Sequence, residues 1–512
     1  MLITTYSCTL QGIRAIMISI EISITQGIRF FIVGLADHAI RESQQRIESA
    51  LGNNGFQWPR FRVVINLAPA SIRKEGTHFD LPLAIGILAA TNQIGPDRLK
   101  DYFMLGELSL DGSVHPVKGV LPMVMHAKEC GMKGVIVPSG NSGEASMVHG
   151  IEVIPVRHLR EAALFLNDEL QLEPEGRHPG DLMAGTAASN GFDFSEVKGQ
   201  AKVKRALMIA AAGHHNLLMI GPPGSGKTML ARRMPTILPP MTMEEALQTT
   251  KVYSVAGKLR SSASLVTVRP FRSPHHTSSN IALIGGGNSP KPGEVSLAHN
   301  GVLFLDELTE FRRQVLEVLR QPLEERVIQV SRANYVVDYP ADFMLVAAMN
   351  PCPCGYFNHP EKACTCGQGM IKRYLSRISG PLLDRIDIHL EVLPVPFRNM
   401  VQTEDSESSS SMLEKVVAAR RIQGKRFQDL DGISVNAEIT AGLLRNYCNV
   451  DRAGQTILKM AIERLGFSAR AFHRILKVSR TIADLEESTM IRASHVAEAV
   501  NYRNLDRDSW LG

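Results

Sequence analysis

Gly221-Pro222-Pro223-Gly224-Ser225-Gly226-Lys227-Thr228 follows the apolar run Leu217-Leu218-Met219-Ile220. The spacing predicts a strand, a glycine-rich loop and a helix beginning near Lys227. In that setting the backbone curls so that successive N–H groups point at a phosphate, and the helix N-terminus adds partial positive charge. Lys227 has the length to reach terminal phosphates, and Thr228 offers a hydroxyl ligand to Mg²⁺. Farther on, Val302-Leu303-Phe304-Leu305 reads as a second buried strand, and it ends in Asp306-Glu307. Asp306 suits the Mg²⁺ shell and Glu307 suits polarising an attacking water. Together the two stretches predict an α/β core that binds ATP with Mg²⁺ and hydrolyses it.

Outward from this core the chain divides by composition. Residues 1–167 alternate strand-like runs (16–24, 62–67, 135–137) with helical ones (39–53, and the apolar 81–90). Residues 168–190 are polar, rich in Glu, Pro and Gly, and read as a linker. The ATPase core is expected over 191–398, a mobile acidic and serine-rich link over 399–411, and a helical domain over 412–512. Lys227 and Asp306 stand 79 positions apart, long for a minimal phosphate-loop unit. The excess includes Ser273-Pro274-His275-His276 and a glycine-rich stretch at 285–294, read as a substrate-engaging insertion or, alternatively, a solvated loop.

The chain has 512 residues, 44% apolar and 21% charged, as expected of a well-cored protein with about three domains. The sequence has neither a membrane-spanning run nor a signal-peptide pattern, so a cytoplasmic protein is expected. A net charge of +5 permits nucleic-acid binding without requiring it. Seven cysteines are an odd number, and four form Cys352-Pro-Cys354 and Cys364-Thr-Cys366. Four thiolates on so short a loop suit one structural tetrahedral Zn²⁺, with reduced thiols or an oxidation-formed disulfide as the other readings. Cys8, Cys130 and Cys448 read as isolated core residues.

Longer motifs carry a family resemblance. Arg269-Pro-Phe-Arg-Ser-Pro-His-His276, the segment 293–308, Val346-Ala-Ala-Met-Asn-Pro351 and Ser379-Gly-Pro-Leu-Leu-Asp-Arg385 resemble the magnesium-chelatase-like AAA+ ATPases, and more narrowly the YifB/ComM group. That resemblance covers nearly the whole chain. It implies a hexameric ring with ATP between subunits and a C-terminal helical lid. It also implies a helicase that drives branch migration when incoming DNA recombines in natural transformation. A protein-complex remodeller or a metal-chelatase ATPase subunit is the alternative.

Carried over by motif, Asn350 matches sensor 1, Arg385 the arginine finger and Arg470 sensor 2, with Arg474 one turn away. The competing readings are a strand-end turn for Asn350, an ion pair with Asp384 or Asp387 for Arg385, and a surface arginine for Arg470. A hairpin is expected around 331–334, and Lys291 and Arg332 are the candidate DNA-phosphate contacts. The front segment 105–117, with 134–138, resembles the proteolytic domain of Lon. There the nucleophile position falls on Asp80 and the lysine position near Leu121, with Lys118 three residues early. A carboxylate beside a leucine supplies no activated hydroxyl. The resemblance implies an α+β domain whose protease chemistry is lost.

Overall fold

The computed structural model describes residues 2–176, 191–259, 265–287, 290–332, 335–359, 361–395, 406–465 and 467–503. They fall into two compact units.

The first unit comprises Met1–Thr186, Met243–Thr267 and Ala333–Asp338. Its sheet contains β1 (Leu2–Gln11), β2 (Arg14–Thr25), β3 (Phe30–Val33), β4 (Arg62–Ala68), β5 (Tyr102–Met104), β6 (Gly134–Pro138) and β7 (Glu152–Val156), in the order β3-β4-β2-β1-β5-β6-β7. The period-two pattern expected over 16–24 is explicit in β2. Ile18, Ile20 and Ile22 are fully buried, while Ser19, Glu21 and Ser23 between them are not. Helix α1 (His38–Asn53) is capped by the Asp37 carboxylate, which accepts from the Ile40 N–H at 2.9 Å. Helix α2 (Asp80–Ala90) is buried at every position, as an all-round apolar sequence requires. A shorter helix, α3 (Val120–Glu129), packs against helix Met243–Val255. The Gly119 N–H donates to the Ser254 carbonyl at 3.2 Å, and Leu121 N–H donates to Glu144, which also accepts from the Ser254 hydroxyl. Part of the long stretch between Lys227 and Asp306 therefore belongs to the front unit.

The second unit comprises Ala187–Thr242, Val268–Arg332 and Tyr339–Gly512. After α4 (Ala201–Gly213) come β8 (Leu217–Ile220), α5 (Lys227–Arg233), β9 (Phe271–Arg272) and β10 (Val302–Leu305). Strands β11 (Val327–Arg332) and β12 (Tyr335–Pro340, of which 335–338 are grouped with the first unit) make the expected hairpin, followed by β13 (Met344–Met349) and β14 (Ile388–Glu391). The main sheet runs β9-β10-β13-β8-β14, every pair parallel. Its strands are near-continuous apolar runs, as burial on both faces demands.

Helices α6 (Ser409–Phe427), α7 (Arg452–Leu465), α8 (Ala469–Leu485) and α9 (Ala493–Asn501) complete the unit. Helix α8 buries Ile475, Val478 and Ile482 at helical spacing, and both α6 and α8 pack on α4. These helices share one continuous hydrophobic core with the parallel sheet. The link expected over 399–411 is shorter than anticipated. Ser408 caps α6 by accepting from the Ser411 N–H at 3.3 Å, so the helix begins inside that stretch. The rest of the link, 399–405, and most of the 168–190 linker lie outside the described residues. No helix among the described residues is long and apolar enough to cross a membrane.

Candidate nucleotide site and cysteine cluster

The loop 221–226 leaves the C-terminal end of β8, where β10 and β13 also end. Gly224 and Gly226 have φ of +78° and +90°, and a Cβ on Gly221 would lie 2.1 Å from the Val392 carbonyl oxygen. Glycine is needed at all three for this curl. Lys227 is buried, and its Nζ donates to the carbonyls of Gly221 (2.7 Å) and Pro222 (2.9 Å) and to Asn350 Oδ1 (3.3 Å). Burial lowers its pKa, partly offset by the charge of Asp306. An ammonium held only by neutral oxygens suits an incoming phosphate. The Thr228 hydroxyl donates to Asp306 Oδ2 at 2.7 Å, so the two expected Mg²⁺ ligands already touch.

Glu307 occupies a left-handed conformation (φ 51°), unusual outside glycine, which turns it out of the β10 line. Its carboxylate faces His276 Nδ1 at 3.4 Å, and the His276 ring meets Phe311 edge-on. The structure thus assembles Lys227, Thr228, Asp306, Glu307 and Asn350 around one loop. The His276 contact escaped sequence reasoning, which placed Ser273–His276 in an insertion. The usable signal was that His276 lies four residues after β9, the neighbour of β10.

Arg385 and Arg470 are elsewhere. Arg385 precedes β14, and its carbonyl accepts from the Asn216 side chain at 3.2 Å, beside the start of β8. The four residues of β8, at about 3.3 Å each, separate Asn216 from the phosphate loop by about 13 Å along a parallel sheet. Arg385 is buried and pairs with Glu324 at 2.6 Å rather than with Asp384 or Asp387, and it donates to the Pro381 carbonyl at 2.6 Å. Asp387 is taken by Arg474 instead. Although burial opposes ionisation, the Arg474 charge and His215 hold the Asp387 carboxyl far below the usual range. Arg470 is exposed and 4.0 Å from Asp384. All three arginines thus sit near the N-terminal end of the strands.

The four clustered cysteines converge. Sulfur separations are 3.3 Å for Cys352–Cys354, 3.5 Å for Cys354–Cys364 and 3.7 Å for Cys352–Cys364, and ligand atoms of all four lie within 4.8 Å of one another. Desolvation and the neighbouring sulfurs push the Cys364 thiol up, whereas Cys354, although desolvated, is pulled down by the backbone N–H groups of Tyr356 and Thr365; a cation would favour the thiolate at every position. The sulfurs and their count fit tetrahedral Zn²⁺. This loop abuts the phosphate loop: a Cβ on Gly355 would lie 2.7 Å from Pro223 Cδ. Cys8 and Cys448 are buried as expected, but Cys130 is exposed at the end of α3.

Lys291 is exposed on a short ribbon, Lys291–Pro292 paired with Gly285–Gly286. The Arg332 side chain lies outside the described residues. In the front unit Asp80 is fully buried in a two-point contact with Arg46 (2.7 and 2.9 Å) and accepts from the Leu108 N–H. Leu121 is fully buried, and Lys118 lies along Gly257.

A phosphate loop on an interior strand of a parallel sheet, with an Asp-Glu strand end whose Asp306 meets Thr228, defines a phosphate-loop nucleotide hydrolase. The sequence matches models of the magnesium chelatase subunit ChlI over residues 193–400 and 20–141, and of its C-terminal region over 406–503. The competence protein ComM of Haemophilus influenzae is 43% identical over 98% of this chain and 97% of its own. YifB of Escherichia coli is 42% identical over 97% and 96%. Lon protease 2 of Bacillus subtilis is 32% identical over 26% of this chain and 23% of its own. The chain belongs to the YifB/ComM group of magnesium-chelatase-like AAA+ ATPases.

Proposed function

We propose that the protein is an ATP-driven DNA translocase. It works as a homo-oligomeric ring, a hexamer by family resemblance, and promotes branch migration of recombining DNA during natural transformation. Full-length similarity to a protein named for competence carries this reading.

In the proposed mechanism Lys227 would leave its loop carbonyls for the nucleotide phosphates, and Thr228 and Asp306 would hold Mg²⁺. Bound Mg²⁺ would neutralise charge on the transferring phosphoryl group. Glu307 orients the attacking water and Asn350 fixes its line of approach. Arg385 and Arg470, at the far end of the sheet from their own loop, serve a neighbouring subunit's nucleotide. Arg385 must exchange Glu324 for phosphate to do so. We assign one structural Zn²⁺ to Cys352, Cys354, Cys364 and Cys366, bracing the chain that leaves Asn350. Lys291 and Arg332 are the proposed phosphate contacts of translocating DNA.

The front unit is read as a Lon-type fold without its chemistry. Its nucleophile position is an Asp80–Arg46 ion pair, and the leucine at the lysine position is sealed in the core.

The chelatase-subunit matches along the chain favour a second reading, an ATPase that drives metal insertion by a partner. Measuring ATP turnover with and without single-stranded DNA, alongside strand displacement from a branched junction, separates the two. Stimulated turnover with displacement is expected. DNA-indifferent turnover without displacement would remove the translocase reading.

A further inference from the structure

We infer that the outer face of β3 and β4 in the front unit is a binding surface for single-stranded DNA, separate from the ATPase core. The pairing register fixes which side chains share this face. Phe31 is opposite Val64 and Val33 opposite Asn66, while Arg62 is opposite Thr25 of β2. The inner face carries Phe30, Ile32, Val63, Ile65 and Leu67 into the core. By the two-residue alternation, Phe31, Val33 and Arg62 face outward. Phe31 is 38% exposed and Val33 48% exposed, on a strand that forms one edge of the sheet.

Several exposed apolar side chains grouped at the sheet's edge strand (Phe31, Val33 and Phe61) mark a candidate interaction site. The Arg62 guanidinium lies over the Phe31 ring, 5.3 Å from its centroid. Phe61, 52% exposed, stands between Arg60 and Arg62, and Arg29 precedes β3. Arg29, Arg60 and Arg62 are all exposed, and none has a carboxylate partner among the described residues. The one acid on the outer face of the adjoining β2, Glu21, accepts from the Asn66 side chain at 2.9 Å. Arginines without counter-ions around accessible rings suit a ligand that brings phosphates and unstacked bases together. A second copy of this edge would set arginine against arginine. Duplex DNA offers phosphates but keeps its base faces stacked away from Phe31.

The test is fluorescence anisotropy of the full-length protein without nucleotide, over a salt series. The probes are a labelled thymidine homopolymer, a duplex of the same length and a uridine homopolymer. Phe31→Ala is expected to weaken thymidine-strand binding on the order of ten-fold. Arg62→Ala is expected to lower the salt slope by about one. Both substitutions are at exposed positions and should leave the melting temperature unchanged. Photocrosslinking of an iodouridine-substituted DNA strand should label the peptide containing Phe31. Unchanged affinity in both variants, equal losses on the duplex, or tighter binding of the RNA would overturn the inference. So would variants that bind DNA normally but fail to assemble, since the face would then be a subunit interface. Because nucleotide is absent, a DNA-indifferent ATPase would defeat the translocase reading and leave this surface standing.

Discussion

The two ends of the parallel sheet in the second unit differ in what they hold ready. At the C-terminal end, Lys227 bonds Asn350 and Thr228 bonds Asp306, next to Glu307, and the ammonium rests on neutral oxygens that a phosphate can replace. At the N-terminal end, Arg385 and Arg474 are each held by a carboxylate. One end holds the phosphate loop with its lysine and the expected Mg²⁺ ligands; the other holds arginines already engaged by carboxylates. Strand polarity keeps them apart within a chain, which under the proposed function makes them halves of two different sites. Stacking copies head to tail is the arrangement that brings unlike halves together.

This contrast can be broken from either side, and the largest effect is expected from the arginine end. Arg385→Ala should lower turnover by about 10³–10⁵ while leaving nucleotide binding near normal, measured by steady-state ATPase and nucleotide fluorescence. A comparable loss of binding would place Arg385 in its own subunit's pocket. At the other end, Glu307→Gln should cost about 10²–10⁴ in turnover with binding retained. If Glu307→Gln abolished binding as well, the residue would be holding the loop together instead of acting on water.

The cysteine loop sharpens the comparison because it touches the pocket end, where Gly355 packs against Pro223. Purified protein should carry about one zinc per chain by elemental analysis. Cys364→Ser should lose the metal, lower the melting temperature and weaken nucleotide binding through the Gly355–Pro223 contact. Metal-free protein with unaltered stability would remove the zinc assignment. The smallest effect is expected at His276. Its contact with Glu307 is partly exposed and solvent-screened, so His276→Ala should change DNA-independent turnover only a few-fold at most. A collapse of activity would instead make His276 part of the catalytic set.

What the sequence made legible tracks how local each feature is. The phosphate loop, β10 with its Asp-Glu end and the isoleucine alternation of β2 are contiguous patterns fixed by backbone geometry. All are present where expected, as is the apolar helix that became α2. The convergence of the four cysteines was legible for the same reason, since nine residues of loop close easily. Partners distant in sequence were not. That Glu324 holds Arg385 follows from a fold that joins positions 61 apart. That Met243–Val255 belongs to the front unit depends on its packing against α3, which no periodicity announces. Nor did composition reveal that α6 and α8 share the ATPase core's hydrophobic interior; the serine-rich stretch before α6 read as a break, although Ser408 starts the helix.

The central claim is that each working site is built from two chains, and mixing inactive variants tests it most directly. Lys227→Ala lacks a pocket but keeps its arginines; Arg385→Ala lacks the finger but keeps its pocket. Each alone should be inactive. Mixed under conditions that allow subunits to exchange, they should recover a fraction of parental ATPase that peaks near equal proportions. Mixtures that stay as inactive as their components, despite demonstrated co-assembly, would contradict the account.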